Sequence, residues 1–516
     1  MNPAIGPLDS AIVVLYLLVI LAISWAIARR QTSGTDYFLA GRAMGGPVLA
    51  CSILANQLSA VSLIGAPAFV ALRAGGGLHW LQYELAVPLA MLASIVVLLP
   101  ALRALPGASI YEYAEARFGP GARRVLAASF LLSRGLALGV LLYASALVVS
   151  EALGWRIGTA IVAIGLFSLV YTSLGGIVAD IWSDVVQLGV LVLGIFAGIG
   201  AVLERHGREI LAAVPLERAQ AILVSAGTGD GTFTFWPMLL GGFFLYVSYY
   251  ACDQSQAQRL LTARSDGEAR RALVWNGVLR FPIVLTYCLL GLLLAGLVAS
   301  DEVFRAGLAN RPADSLVPRF MLEYVPVGLR GLMLAGLLAA AMSSIDSAMN
   351  SLAAVTLEDV MRRPPDRTPV LLGRLASLGW GAFSVVAAIA FARSGSGVLV
   401  LVNQIGSAFY GPILSVFVLG VLTRGATGAG VIAGLGSGLL ANLMLARLAP
   451  GLSWLWWNPI GFLVASAVAL LVSWRPIGWV RPAWRAREAR ILVTTFGVIL
   501  AFLLLAPKLA RWIVGH

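Results

Sequence analysis

Ser343, Asp346, Ser347 and Asn350 fall at i, i+3, i+4 and i+7, with Ser344 at the border of the set. On a helix of 3.6 residues per turn they form one polar stripe. Hydroxyl, amide and carboxylate oxygens are hard donors that suit hard cations. Cys51, Cys252 and Cys288 lack CxxC spacing, and His79, His206 and His516 are scattered, so no zinc or copper set is visible. Serines alone would also serve close helix packing. A carboxylate in the same stripe argues for a cation instead.

A second polar interruption is LACSILANQLSAVSLIGAP at 49–67, where Asn56, Gln57, Ser59 and Ser62 precede Gly65 and Pro67. This mixture predicts a helix that unwinds in mid-membrane, freeing carbonyls to coordinate an ion; a continuous, proline-kinked helix is the alternative. A third stretch, LYVSYYACDQSQAQR at 245–259, predicts another interrupted helix five spans later. Two interrupted helices in corresponding positions point to an inverted-repeat transporter. The ionisable residues inside apolar segments complete the shortlist: Glu84, Arg134, Asp184, Asp253, Arg280 and Asp346.

These residues need apolar elements to position them. The 516-residue chain is 59% hydrophobic and 12% charged, the composition of a polytopic membrane protein. Fourteen spans are predicted: 9–29, 46–70, 77–101, 122–150, 155–173, 178–203, 234–258, 272–299, 326–355, 368–392, 396–422, 426–448, 453–473 and 488–512. The first lacks a basic n-region and a cleavage site, so it reads as a retained helix. The net charge of +12 resides in short loops, which argues for membrane orientation rather than nucleic acid. Basic clusters, among them Arg259/Arg264/Arg270/Arg271, follow odd-numbered spans, which puts those loops in the cytoplasm and both termini outside. The loops are too short for a soluble domain, and no nucleophile–base pair marks an enzyme. GAGVIAG at 428–434 sits in an apolar span with no strand before it, so it reads as helix packing rather than a phosphate loop.

GRAMGG with ANQLSAVSLIGAP, YTSLGGIVADIWSDVVQ, YYACDQSQAQR, AAAMSSIDSAMN and NQIGSAFYGPIL with TRGATGAGVIAGLGSG run in order over residues 40 to 437. In these segments the chain resembles the sodium/solute symporter family, whose members couple sodium to sugars, proline, sialic acid or small carboxylates. The resemblance implies an all-α membrane protein with a LeuT-type inverted five-plus-five helix core, one preceding and three following helices. One transporter domain then fills the chain: 46–203 and 234–422 are the repeats, 1–30 and 426–516 the periphery. It implies a sodium site from Ala55, Leu58, Ala340, Ser343 and Ser344, and in some members a second cation near Asp184, Asp346 and Ser347. Asp346 departs from the Ser or Thr common there. For substrate, the resemblance offers Glu84, Arg280 in place of lysine, Gln404, and Tyr246, Tyr249 and Tyr250 at the aromatic gate; Gln57, Ser59 and Ser62 flank the break. Glu84 and Arg280 pairing with each other as buried charges is the competing expectation. The implied function is sodium-coupled symport of a small polar organic solute across the cell membrane by alternating access. Sodium, the solute and the bilayer are its partners, and no nucleic acid or protein partner is required. Proton coupling through Asp184 and Asp346, an uncoupled solute channel, and a sensor derived from a transporter stand as alternatives.

Overall fold

A computed structural model describes residues 5–228, 233–309, 311–394 and 398–514. Among them every extended element is a helix, and only isolated bridges represent β structure. Eleven helices are long and apolar enough to cross a bilayer, or twelve if the bent pair Gly46–Gln57 and Ser62–Ala71 is one span. Two features account for the difference from fourteen. The expected spans 155–173 and 178–203 belong to one helical run, Ile157–Ala212. Its 56 residues would measure about 84 Å if straight, against a hydrocarbon core of about 30 Å. Gly176 interrupts it with φ +55°, a conformation that disfavours any side chain. The expected span 234–258 is the shorter apolar helix Pro237–Cys252, followed after Asp253 by Gln254–Leu261.

Both predicted interruptions are present. In the first, Leu58 (ψ 74°) ends Gly46–Gln57, and Ser59 is extended (ψ 160°) before Ala60–Ala71. The halves diverge by 59°. A helix start leaves orphan N–H groups, and the Ser59 hydroxyl accepts from the Ser62 N–H at 3.3 Å. In the second, Asp253 is extended and its carboxylate accepts from the Ser255 N–H at 2.9 Å.

The helix Leu329–Val355 forms the central rod: every residue from Met333 to Val355 is buried. It packs on the Ile157–Ala212 run, on Pro120–Leu153 and Pro7–Ala28, and on both halves of the first broken helix. Its N-terminus is held by Asp9, whose carboxylate accepts from Gly328 N–H at 2.7 Å and Gly331 N–H at 2.9 Å. A carboxylate at a helix N-terminus also complements the dipole there.

Candidate functional site

The last carbonyls of a helix lack intrahelical partners. At the end of Gly46–Gln57 those carbonyls meet the central rod. The Ser343 hydroxyl donates to Ala55 O at 3.1 Å and Ala340 O at 3.3 Å, and the Ser344 hydroxyl donates to Asn56 O at 3.1 Å. Ser343 is fully enclosed, and Leu58 sits at the break beside them. The structure therefore brings Ala55, Ala340, Ser343 and Ser344 together from segments 288 residues apart. These are buried neutral oxygens, the donor type that suits a hard monovalent cation; no cluster of three His, Cys, Asp or Glu exists among the described residues.

Gln57 lies between those carbonyls and a second group. Its Oε1 accepts from both the Arg280 guanidinium and the Tyr250 hydroxyl. Arg280 also donates from Nε to Glu84 at 2.8 Å and from Nη2 to Tyr246 OH at 2.8 Å, with its charge 4.7 Å from the Tyr246 ring centroid. Tyr250 OH donates to Asn276 Oδ1 at 2.7 Å, and the Tyr83 ring packs at a 41° tilt against Tyr246 with centroids 4.8 Å apart. Glu84 and Arg280 thus pair with each other, as the competing expectation had it, inside a ring of hydroxyl and amide groups. Tyr249 borders this cluster: its hydroxyl accepts from Gln256 at 3.0 Å and its ring contacts Tyr250 and Tyr410. Ser59 and Ser62 face each other at the break with oxygens 3.3 Å apart. Gln404, half-buried on Val398–Leu422, makes no hydrogen bond to Arg280 among the described residues.

The third grouping differs from the sequence expectation. Arg259, counted among loop charges, is completely buried. Its Nη2 pairs with Asp180 at 2.9 Å and Asp184 at 2.8 Å, its Nε donates to Ser52 at 2.7 Å, and its Nη1 donates to Ser255 O at 2.6 Å. Ser347 also accepts from this guanidinium and donates to Ser343 O at 2.7 Å. Asp184 and Ser347 therefore surround a tethered cation. Asp346 takes a different direction, accepting from Thr172 at 2.9 Å through Oδ1, while its buried Oδ2 has no partner among the described residues. Arg134, which had no expected role, pairs with Asp253 at 3.6 Å and donates to Ser255 at 2.8 Å, bracing the second interruption.

Sequence reasoning missed Arg259, Asp180, Ser52, Asn276, Tyr83 and Thr172. Two signals were present. Asp180 and Asp184 are i, i+4 in an apolar run, two carboxylates on one face that require a cation; Asn276 and Arg280 share a face by the same spacing.

The sodium:solute symporter family matches residues 37–438. The human sodium/iodide cotransporter is 29% identical over 86% of this chain and 70% of its own. A putative sodium-dependent multivitamin transporter of Drosophila melanogaster is 30% identical over 84% of this chain and 73% of its own. In fold, a solved Na+-coupled sialic acid symporter superposes with a TM-score of 0.81 at 23% identity, over 92% of this chain and all of that one.

Proposed function

The chain belongs to the sodium:solute symporter family, and from this premise we propose that sodium binds at Ala55, Leu58, Ala340, Ser343 and Ser344 and drives uptake of a small polar organic solute held near Arg280. It is a multi-pass membrane protein with sodium as the coupling ion, and it is a transporter rather than an enzyme. The observation that carries the site assignment is Gln57. It stands one residue from the Asn56 and Leu58 carbonyls, and its side chain is the shared acceptor of Arg280 and Tyr250. A cation that draws the freed carbonyls inward turns Gln57 with them and resets the hydrogen bonds around Glu84, Tyr246 and Tyr250. Ion and solute are then coupled through one short segment of unwound backbone.

Around this site the proposed frame is a single transporter domain with two inverted five-helix repeats, 46–203 and 234–422. One helix precedes them and three follow, making fourteen spans, with both termini outside and no obligatory protein partner. The paired breaks at Leu58 and Asp253 support the repeats, and Gly176 supports dividing the long helical run. Tyr249, Ser59, Ser62 and Gln404 are assigned to the walls of the solute path. The Arg259 guanidinium supplies the positive charge that a second sodium would otherwise bring to Asp184 and Ser347. A second cation enters between Asp184, Asp346 and Ser347 only after Arg259 withdraws. Proton coupling through Asp184 is disfavoured by the same geometry, because Asp184 is committed to an ion pair with Arg259.

One sodium entering down about 100 mV gains about 2.3 kcal/mol, and a tenfold gradient adds about 1.4 kcal/mol. Together these concentrate a neutral solute several hundredfold. The test is a melting-temperature screen of sugars, carboxylates, amino acids and vitamins, with iodide included, in sodium and in potassium buffer. A solute that stabilises only in sodium identifies the cargo, and Ser343→Ala should abolish the sodium-dependent stabilisation. Retention of sodium dependence in Ser343→Ala refutes the ion-site assignment.

A further inference from the structure

Away from these sites, a groove of about 430 Å³ opens on the outer surface between Pro120–Leu153, Val398–Leu422 and Gly428–Leu448. Its walls are apolar: Val125, Leu132, Phe409, Leu439 and Leu443. Leu132 and Leu443 are 58% and 59% exposed, which inside membrane spans means contact with lipid. Ser129 does not make the wall polar, because its hydroxyl donates to Val125 O at 2.8 Å. One end of the groove carries a charge. Arg124 lies in the second turn of Pro120–Leu153 and makes no hydrogen bond or ion pair among the described residues. Its neighbour Arg123 is spent on Glu115 and Asp359. At the same end, Arg117 bonds only the Gly420 and Thr423 carbonyls, and Arg424 has no acidic partner among the described residues. From Arg124 to Leu132 the helix rises about 12 Å, so the groove runs from a basic interface into the hydrocarbon.

We propose that this groove is a binding site for one anionic phospholipid, its phosphate on Arg124 and an acyl chain along Leu132, Phe409 and Leu443. Charge complementarity selects the headgroup: an unpaired guanidinium at the interface attracts an anionic lipid, with Arg117 and Arg424 adding to the local potential. The chain lies where the groove would otherwise leave apolar walls without close neighbours. A lipid seated there clamps three helices, one of which, Val398–Leu422, offers Tyr410 O to the Ser248 hydroxyl at 2.8 Å on the second broken helix.

The test is native mass spectrometry of the full chain after delipidation and exposure to equimolar phosphatidylglycerol and phosphatidylcholine, a readout independent of transport. The expected result is one retained phosphatidylglycerol, at least tenfold over phosphatidylcholine. Arg124→Gln should bring the ratio to parity, Arg124→Lys should keep most of it, and Ala128→Phe, which fills the groove and leaves the charge, should lose the retained lipid. Melting temperatures in lipid-free detergent serve as the folding control, and added phosphatidylglycerol should raise that of the wild type and not of Arg124→Gln. Unchanged preference in Arg124→Gln, full retention in Ala128→Phe, or a lipid-free dimer occupying this face would each overturn the proposal.

Discussion

Arg259 and Arg280 are each held by more than one contact, and that decides what their loss should cost. Arg259 pairs with two aspartates where all three side chains are buried. Removing one partner of a buried pair leaves an uncompensated charge, a cost of about 3–5 kcal/mol. Arg259→Gln should therefore lower the melting temperature sharply, and Arg259→Gln with Asp184→Asn should recover part of the loss, a coupling that a double-mutant cycle measures. If the two losses simply add, the pair carries no coupling. Glu84 and Arg280 behave differently because solute is proposed to share their hydrogen bonds. Arg280→Lys keeps the charge but loses the fork that reaches Glu84, Gln57 and Tyr246 together. It should weaken solute binding at least tenfold while sodium-dependent stabilisation without solute persists. Equal loss of both responses would make Arg280 structural only.

At the level of elements, the first broken helix is maintained by local chemistry. Ser59 caps its second half, so Ser59→Ala should cost about 1 kcal/mol and Ser59→Gly only a few tenths. Because the cap keeps the two halves apart, Ser59→Ala should also weaken sodium binding, read as a higher sodium concentration for half-maximal thermal stabilisation. Gly176 is the corresponding control in the Ile157–Ala212 run. A Cβ there would stand 2.6 Å from Tyr37 O in a left-handed conformation. Gly176→Ala should destabilise the whole fold without selectively changing sodium affinity. The contrast between the two variants separates a hinge that serves the ion from one that serves packing.

For the whole molecule, one sodium with a neutral solute moves one charge per cycle. Accumulation should then rise about tenfold for each 60 mV of inside-negative potential, with a hyperbolic sodium dependence. A sigmoidal dependence and a hundredfold rise per 60 mV would instead require Arg259 to vacate its place during the cycle. The membrane class, both helix breaks and the serine stripe were legible from sequence alone. Each depends on short-range information: apolar run length, turn and cap chemistry, or the 3.6-residue period. Which stripe meets which carbonyl was decided only by the tertiary structure, since Ala55 and Ser343 are 288 residues apart and Glu84 and Arg280 are 196 apart. The same holds for Arg259: an arginine after an apolar run reads as a loop charge. Only the folding of Gln254–Leu261 against Asp180 and Asp184, 79 and 75 residues away, turns it into the most deeply enclosed cation described. Periodicity places a residue on a face, whereas the partner across that face depends on how distant helices pack, and single-helix patterns carry no information about that.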